Sequence, residues 1–344
     1  MKNLPKVTFI IVARNEGKSL PRLLHDLLSQ DYPVEKLELL FIDSKSTDQT
    51  KTLMTSFLEE HLECDGKIFD NDGVSLACGW NVALENATGD IIGRVDGHGS
   101  IPADFISNNV ERILQGEKIV GGTTQYREPK SEWSEVLGIA ERSAFGGSTA
   151  SFRRKGELRY VDTLAYAFYS KDVFDEVGRY NECLGRTEDN EMHYRMRSAG
   201  YKFCFDPNIT STHECRSTLR HMIKQKIYNG LWVGLTLCVQ PRCFSYRHFV
   251  PLLFVLAIIF CLFMLVVGAI WPIIILFTTY MSVSIYFTIA SIVGSETKKT
   301  FKLFFIPLVF LLCHVAYGLG TLCGIMSIPF FMKRNMKKSK EQPN

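Results

Sequence analysis

The chain begins its patterned part with seven apolar or β-branched residues, Val7–Ala13 (VTFIIVA). Such a run predicts a strand buried on both faces. Leu20, Leu23, Leu24, Leu27 and Leu28 then recur at helical spacing and predict a helix over Ser19–Leu28. Leu37–Ile42 (LELLFI) predicts a second strand, ending at Asp43. Ser46, Thr47 and Asp48 offer N-caps for a helix reaching Glu60. Ser75–Leu84 predicts a further helix, and Ile91–Val95 a strand that stops at Asp96. Strands alternating with helices predict an α/β fold with a parallel, doubly wound sheet. Ligands of such sheets sit at the carboxyl ends of the strands. Arg14, Asn15 and Glu16, then Asp43, then Asp96 all fall at those ends, so three polar clusters point to one crevice.

The pattern fades over Thr123–Tyr160, which is rich in Gly, Ser and Arg and has no clear period. Within it, Phe145-Gly146-Gly147-Ser148 reads either as a backbone loop approaching a ligand or as a simple turn. Val173–Gly178 and Glu191–Ala199 read as helices, and Ile209–Thr212 as a strand end. Arg216–Gly234 is basic and amphipathic.

The last part changes character. Phe249–Ser295 holds 47 residues without one Asp, Glu, Lys or Arg, and Phe301–Met332 holds a single charge, Lys302. A hydrocarbon span needs only ~20 apolar residues. Phe249–Gly268 and Trp271–Val293 each fit one span, with a break at Gly268–Pro272. Leu303–Met332 is long for one helix and is interrupted by Pro307, Gly318, Gly320 and Pro329. The expected organisation is a soluble domain over 1–243, with 216–243 juxtamembrane. A transmembrane region over 249–332 follows (about 249–268, 271–293 and 303–331), then a basic tail over 333–344.

Charge sharpens this division. The formal net charge is +3, but residues 1–248 carry 31 basic and 34 acidic side chains, and residues 249–344 carry 8 and 2. A slightly acidic soluble part offers no basic field for nucleic acid. A purely soluble protein and a polytopic transporter are both excluded. None of the ten cysteines forms a C-x-x-C pair, so free thiols in a reducing compartment are expected. The first apolar run stops at Arg14, too short for a signal peptide. The expectation is a multi-pass protein of the cell membrane with its soluble domain in the cytoplasm. Three full spans would put Lys333, Arg334, Lys337, Lys338 and Lys340 outside, against the positive-inside rule, whereas a last segment that is re-entrant or splits in two, or one segment lying in the interface, would keep them inside. His314 in that segment needs a partner, either within the protein or at a lipid phosphate.

Three constellations carry candidate chemistry. Asp96-Gly97-His98 follows a buried strand, and two hard ligands at i and i+2 on extended chain can meet one cation. A carboxylate with an imidazole suits Mn²⁺ or Mg²⁺. His213 is a candidate third ligand. Glu188-Asp189 reads as a helix-start pair that caps and complements the dipole, or as a general base for an acceptor hydroxyl. Asp43 can accept from a base N–H, while Asp48 is more simply a helix cap. Gln225, Tyr228 and Trp232 precede the membrane segments. They read as contacts to a leaving pyrophosphate and a sugar, or as an interfacial helix with its aromatic residues at headgroup level.

Taken in order, Ala13-Arg14-Asn15-Glu16, Phe41-Ile42-Asp43-Ser44-Lys45-Ser46-Thr47-Asp48, Asp96-Gly97-His98 and Glu188-Asp189 resemble the family 2 glycosyltransferases of GT-A fold. The resemblance covers residues 5–235 and is closest to the exopolysaccharide subgroup typified by succinoglycan glucosyltransferases. There Phe145-Gly146-Gly147, Val161-Asp162-Thr163 and His314 with Tyr317-Gly318-x-Gly320 have counterparts. It implies a doubly wound, Rossmann-like nucleotide-sugar domain followed by C-terminal transmembrane helices. Asp43 would contact the base. Arg14, Asn15, Glu16, Asp96 and Gly97 would line the nucleotide-sugar pocket. Asp96, His98 and His213 would hold the cation. Asp189, beside Glu188, would be the base of an inverting transfer. Gln225, Tyr228, Trp232, Gly146 and Gly147 would lie on the acceptor or diphosphate side. Most relatives carry D-x-D where this chain has D-x-H, and the Q-x-x-R-W signature of processive synthases is absent. The resemblance therefore implies a non-processive transferase using a UDP-sugar and a divalent cation, with a lipid-linked saccharide acceptor. Two other readings remain: a polyprenyl-phosphate sugar synthase, and a nucleotide-binding membrane scaffold without catalysis. No G-x-G-x-x-G follows the first strand, which counts against a dehydrogenase.

Overall fold

The structure, a computed structural model, describes residues 4–127, 131–146, 157–213, 218–294 and 300–341, with side chains as far as residue 336. Contacts divide the chain into two compact units. The first comprises 1–127 and 150–214, and the second 128–149 and 215–344.

The first unit is built on one mixed sheet. Its strands are β1 (Val7–Ala13), β2 (Leu37–Asp43), β3 (Asp65–Asp70), β4 (Ile91–Arg94), β5 (Gly99–Ser100), β6 (Ile119–Tyr126), β7 (Arg159–Val161), β8 (Phe168–Ser170) and β9 (Phe203–His213). They lie in the order β3-β2-β1-β4-β8-β6-β9-β5, with β7 paired to β9. Every residue of β1 and β2 is buried, as an apolar run without alternation requires. β1 pairs parallel with both β2 and β4, so Ala13 and Asp43 end side by side. The parallel expectation holds on this side of the sheet. Beyond it β8 runs antiparallel to β4 and β6, so the sheet is mixed rather than wholly parallel. Its three residues are too few to show a period.

Helices cover both faces. α1 (Leu20–Leu28) buries Leu20, Leu23, Leu24 and Leu27, while Leu28 is exposed. α2 spans Thr50–Glu60, α3 Leu76–Asn86, α4 Phe105–Leu114, α6 Lys171–Val177 and α7 Glu188–Ser198. Ser75 caps α3 by accepting from Cys78 N at 3.2 Å. Asp48 is not the cap residue of α2, a position Gln49 takes. It instead accepts from Thr50 N at 3.0 Å, just inside the helix. Two apolar layers result: one gathers Phe9, Phe41, Phe105 and Phe168, the other Trp80, Tyr169, Met192 and Phe205.

The second unit is helical. α5 (Glu132–Arg142) falls where the sequence shows no period, because Val136, Leu137, Ile139 and Ala140 are buried among other helices rather than on one stripe. α8 (Leu219–Thr236), α9 (Val250–Val266), α10 (Trp271–Val293) and α11 (Ile306–Glu341) complete it. Among the described residues, three helical stretches are long and apolar enough to cross a membrane: Tyr246–Val266, Trp271–Val293 and Phe301–Met336.

The expected interruptions of the last stretch are not breaks, since α11 runs on through Pro329. Its glycines serve contact instead. A Cβ on Gly320 would lie 2.2 Å from Ile227 O, and one on Gly324 2.2 Å from Leu231 O. Reciprocally, Gly230 and Gly234 on α8 meet Tyr317 O and Thr321 O at 2.0 and 2.5 Å. Two small-x-x-x-small pairs thus let α8 and α11 touch backbone to backbone. His314 is partnered inside this unit. Its Nε2 donates to the Phe145 carbonyl at 2.7 Å, so its Nδ1 accepts from Tyr280 OH at 2.9 Å.

Candidate active site

The loops after β1 and β2 interlock. Asn15 N donates to Ser46 Oγ (3.0 Å), Thr47 N to Asn15 Oδ1 (2.8 Å), Glu16 N to Thr50 Oγ1 (2.7 Å) and Gly17 N to Asp48 Oδ2 (3.0 Å). Asn15 and Lys45 take positive φ, 57° and 56°, to make this clasp. The side-chain oxygen of Asn15 is therefore spent on the loop itself, and Arg14 is exposed. Asp43, at the end of β2, is buried. Its Oδ2 accepts from Ser46 N at 3.2 Å, whereas the buried Oδ1 has no hydrogen-bond partner among the described residues. A buried acceptor left open in this way is a place for a ligand N–H.

β4 brings the next group. Side chains alternate along a strand. Arg94 therefore shares a face with Ile92, which packs with Trp80 in the second apolar layer. The guanidinium lies 4.9 Å from the Trp80 ring centre and 5.8 Å from that of Tyr180. Asp96 follows. Burial holds its carboxyl above the usual range, with Asp189 and Glu16 adding to the effect and His98 and Arg94 opposing it. Gly97 packs so closely that a Cβ would sit 3.0 Å from that of Ala13. His98 Nδ1 is 3.2 Å from Glu16 Oε1, and Glu16 Oε2 accepts from Ser19 Oγ at 2.5 Å.

α7 supplies the carboxylate pair. Thr187 adopts a left-handed φ of 69° before it. Asp189, Met192, His193 and Met196 fall on one face at i, i+3, i+4 and i+7. The last three are buried, so Asp189 heads the buried stripe. Its Oδ1 lies 2.7 Å from Arg94 Nη2, at an angle too poor for a hydrogen bond, so the contact is an ion pair. Glu188 is buried, and burial followed by the Asp189 charge raises its pKa well above the carboxylate range. Arg195 clamps the helix by gripping Glu191 (2.7 and 2.9 Å) and the carbonyls of Val177 and Arg179 (2.7 Å each). His193 meets Thr163 Oγ1 at 2.8 Å and Tyr169 OH at 2.9 Å, and burial depresses its pKa to about 3.

Glu16, Arg94, Asp96, His98, Glu188 and Asp189 thus interact electrostatically in one cluster at the strand ends. His213, the last residue of β9, stands opposite Gly99 in the β5–β9 pairing, one residue past His98. The three expected metal ligands are not gathered into one group among the described residues: the His213 ring lies 4.4 Å from that of Tyr126, while His98 has Glu16 at Nδ1, a pairing that orients a histidine for ligation through its other nitrogen. Among the described residues no three His, Cys, Asp or Glu side chains gather at metal-binding distances. Burial, with neighbouring carboxylates adding to it, raises Asp96 and Glu188 above their usual range, and a cation among these crowded carboxylates would offset both effects, so the set fits one.

Gln225, Tyr228, Trp232 and Gly146 belong to the second unit. Tyr228 is exposed on α8, Trp232 packs edge-on against Phe331 with ring centres 6.0 Å apart, and Gly146 closes a turn onto Ser143 O at 3.1 Å. Gly147 lies outside the described residues. Arg94 and His193 were not anticipated. A charged residue in the middle of the apolar run IIGRV was the available signal for Arg94. His193 carries no motif at all.

The sheet order and the strand-end carboxylates define a GT-A Rossmann-like α/β domain. Residues 8–178 match the family model described as Glycosyl transferase family 2, and the chain carries a glycosyltransferase domain of that family. It is 28% identical over 239 residues to the dolichyl N-acetyl-alpha-D-glucosaminyl phosphate 3-beta-D-2,3-diacetamido-2,3-dideoxy-beta-D-glucuronosyltransferase of Methanococcus voltae, covering 67% of this chain and 73% of that protein. It is 23% identical over 255 residues to the succinoglycan biosynthesis protein ExoA of Rhizobium meliloti, covering 69% and 76%. Among solved structures, the mannosyltransferase PcManGT from Pyrobaculum calidifontis, in complex with GDP-Man and Mn²⁺, shares the fold. The TM-score is 0.61 at 16% identity, over 93% of this chain and 88% of that one.

Proposed function

We propose that this protein is a membrane-anchored, inverting, non-processive glycosyltransferase. It moves a sugar from a UDP-sugar to a lipid-linked saccharide in the assembly of a cell-surface polysaccharide. The observation that carries the reading is Asp189. Its Oδ1 is buried on Arg94, yet the side chain is 40% exposed, so the outer oxygen is the accessible one, in the cluster that also holds Asp96. A carboxylate so placed takes the proton of an acceptor hydroxyl as that oxygen attacks the anomeric carbon. The new C–O bond forms as the bond to the diphosphate breaks, and UDP leaves with the electron pair. One displacement inverts the anomeric centre. The open Oδ1 of Asp43 receives the base N–H, and the clasped Asn15 and Glu16 loop shapes the pocket wall. Asp96 and His98, with His213, would hold a divalent cation. Bound there, it would supply Lewis-acid neutralisation of the leaving diphosphate.

The apolar helices of the second unit support a membrane anchor, and the Methanococcus voltae relative acts, by its name, on a dolichyl-phosphate-linked sugar. The cytoplasmic placement of the catalytic domain is supported by Arg242 and Arg247 before the first apolar segment and by Lys298, Lys299 and Lys302 after the second, which two spans bring to the same side. The test is a screen of the full chain, purified in detergent, with UDP-, GDP- and dTDP-sugars and with Mn²⁺ or Mg²⁺. Each is offered polyprenyl-diphosphate saccharide or bare polyprenyl phosphate. UDP release with elongation of the diphosphate-linked saccharide is expected. Transfer to bare polyprenyl phosphate alone would mark a polyprenyl-phosphate sugar synthase, and UDP binding without turnover would mark a scaffold.

A further inference from the structure

We propose that Arg94 is the positioning residue of Asp189: it pins Oδ1 from beneath and so leaves Oδ2 as the oxygen that takes the acceptor's proton. This rests on the reading of Asp189 as the base.

The argument begins with where Arg94 sits. A strand residue on the buried face of a sheet is ordinarily apolar, and its neighbours Ile91, Ile92 and Val95 are. A guanidinium at that place remains charged, and taking it out of water is costly unless something compensates. The compensation here is of two kinds. Trp80 and Tyr180 present ring faces to it, and Asp189 stands 2.7 Å away as its ion-pair partner. Both rings are themselves buried, so the guanidinium has little room to follow a moving carboxylate. Asp189 is likewise limited, since α7 is held by the grip of Arg195 on Glu191 and on two carbonyls, and by His193 between Thr163 and Tyr169. Two rigid supports therefore meet at one carboxylate oxygen. The carboxylate is turned so that one oxygen is buried and the other faces out. Without Arg94 nothing among the described residues fixes that rotation.

Misplacement of a reacting group by about 1 Å costs on the order of 100-fold in rate. Arg94→Met keeps the apolar stem and removes the fork. Its kcat for sugar transfer is expected to fall about 100-fold, with the donor KM and UDP affinity unchanged. Arg94→Lys restores the charge without the planar fork, so kcat should lie between the two. The decisive readout is the double variant. With Asp189→Asn already in place, Arg94→Met should change the residual rate by less than about threefold, because the two residues act as one unit. An equal loss in both backgrounds, or a parallel loss of UDP affinity, would overturn the proposal in favour of a role in the core. If Arg94→Met does not fold, the lysine variant decides: a lowered kcat with intact UDP affinity supports the proposal, and an unchanged kcat refutes it. Full transfer by Asp189→Asn alone would instead bring down the underlying assignment of the base.

Discussion

Glu16 Oε1 stands 3.2 Å from His98 Nδ1, while its other oxygen holds Ser19 Oγ at 2.5 Å. Glu16 belongs to the loop after β1 and His98 to the segment after β4, so the contact ties two strand ends together. A carboxylate at Nδ1 favours the tautomer with its proton there. Carboxylate–histidine pairs of this kind orient metal ligands, and losing the outer member costs about 10–100-fold in metal affinity. Glu16→Ala is expected to weaken Mn²⁺ binding in the presence of UDP by that factor, read by the paramagnetic resonance of free Mn²⁺. Unchanged Mn²⁺ affinity would return Glu16 to a purely structural place in the loop.

Asp189→Asn removes the ability to accept a proton while keeping the size of the side chain beside Arg94. General-base catalysis is worth about 100- to 10,000-fold. The variant should lose that much in kcat and keep its UDP affinity within about twofold, the pattern of an interaction made in the transition state. Isothermal titration with UDP and a transfer assay on the same preparation separate the two quantities. Retained turnover would exclude Asp189 as the base.

Asp43 makes a different kind of prediction, about selectivity. Its open, buried oxygen needs a donor, which the N3–H of uracil supplies, whereas cytosine offers an acceptor at that atom. A hydrogen bond to a charged group contributes about 1.5–3 kcal/mol, roughly 10- to 150-fold in affinity. UDP should therefore bind more tightly than CDP by about that ratio, and Asp43→Ala should abolish most of the difference. Equal affinities in the parent protein would mean that Asp43 does not read the base.

Much of this site was legible in the sequence because the residues that end buried parallel strands are also those that face a ligand. Val7–Ala13, Leu37–Ile42 and Ile91–Val95 are largely apolar runs, interrupted only by Thr8, Glu38, Gly93 and Arg94, so their ends could be located, and Glu16, Asp43 and Asp96 with them. β6 was hidden, and β9 was read only at its end, Ile209–Thr212, for a physical reason. Gly121-Gly122 and Asp206-Pro207 break the apolar pattern, yet both strands are held by long pairing across a register shift at Gly122/Thr123. α5 escaped because it is buried among helices rather than laid on a surface, so no polar stripe marks it. The glycines of α11 suggested breaks, since a sequence does not tell a flexible glycine from one that admits a neighbouring backbone.

His193 gives the stability a pH dependence that can be assigned. Its pKa is depressed from 6.5 to about 3 by burial, so between those values the unfolded chain binds the extra proton. Stability therefore falls as pH drops below 6.5, by about 1.4 kcal/mol per unit from this group. Glu188 acts in the opposite sense: its raised pKa contributes stability at low pH that is lost as pH rises through the shifted value. The two are separated by comparison with His193→Gln, which lacks the imidazole and keeps Glu188. Thermal melts of the full chain between pH 6.5 and 4.5 should show a steeper fall in the parent protein than in the variant. Parallel curves would show that His193 takes up its proton in the folded state.

The α8–α11 contact makes the last prediction. Because Gly320 and Gly324 approach the Ile227 and Leu231 carbonyls at 2.2 Å from where a Cβ would stand, even alanine must push the helices apart. Overpacking of this kind costs about 1–3 kcal/mol per site. Separating the helices also exposes the Gly230 and Gly234 surface that matches them. Gly320→Leu and Gly234→Leu should each lower the melting temperature in detergent. Together they should lose less than the sum of the two, since one separation relieves both clashes. Leu319→Ala, at a side chain 45% exposed on the same helix, serves as the control and should change it little. Additive losses from the two glycine variants would show that the two sites are independent and that the helices do not move as a pair.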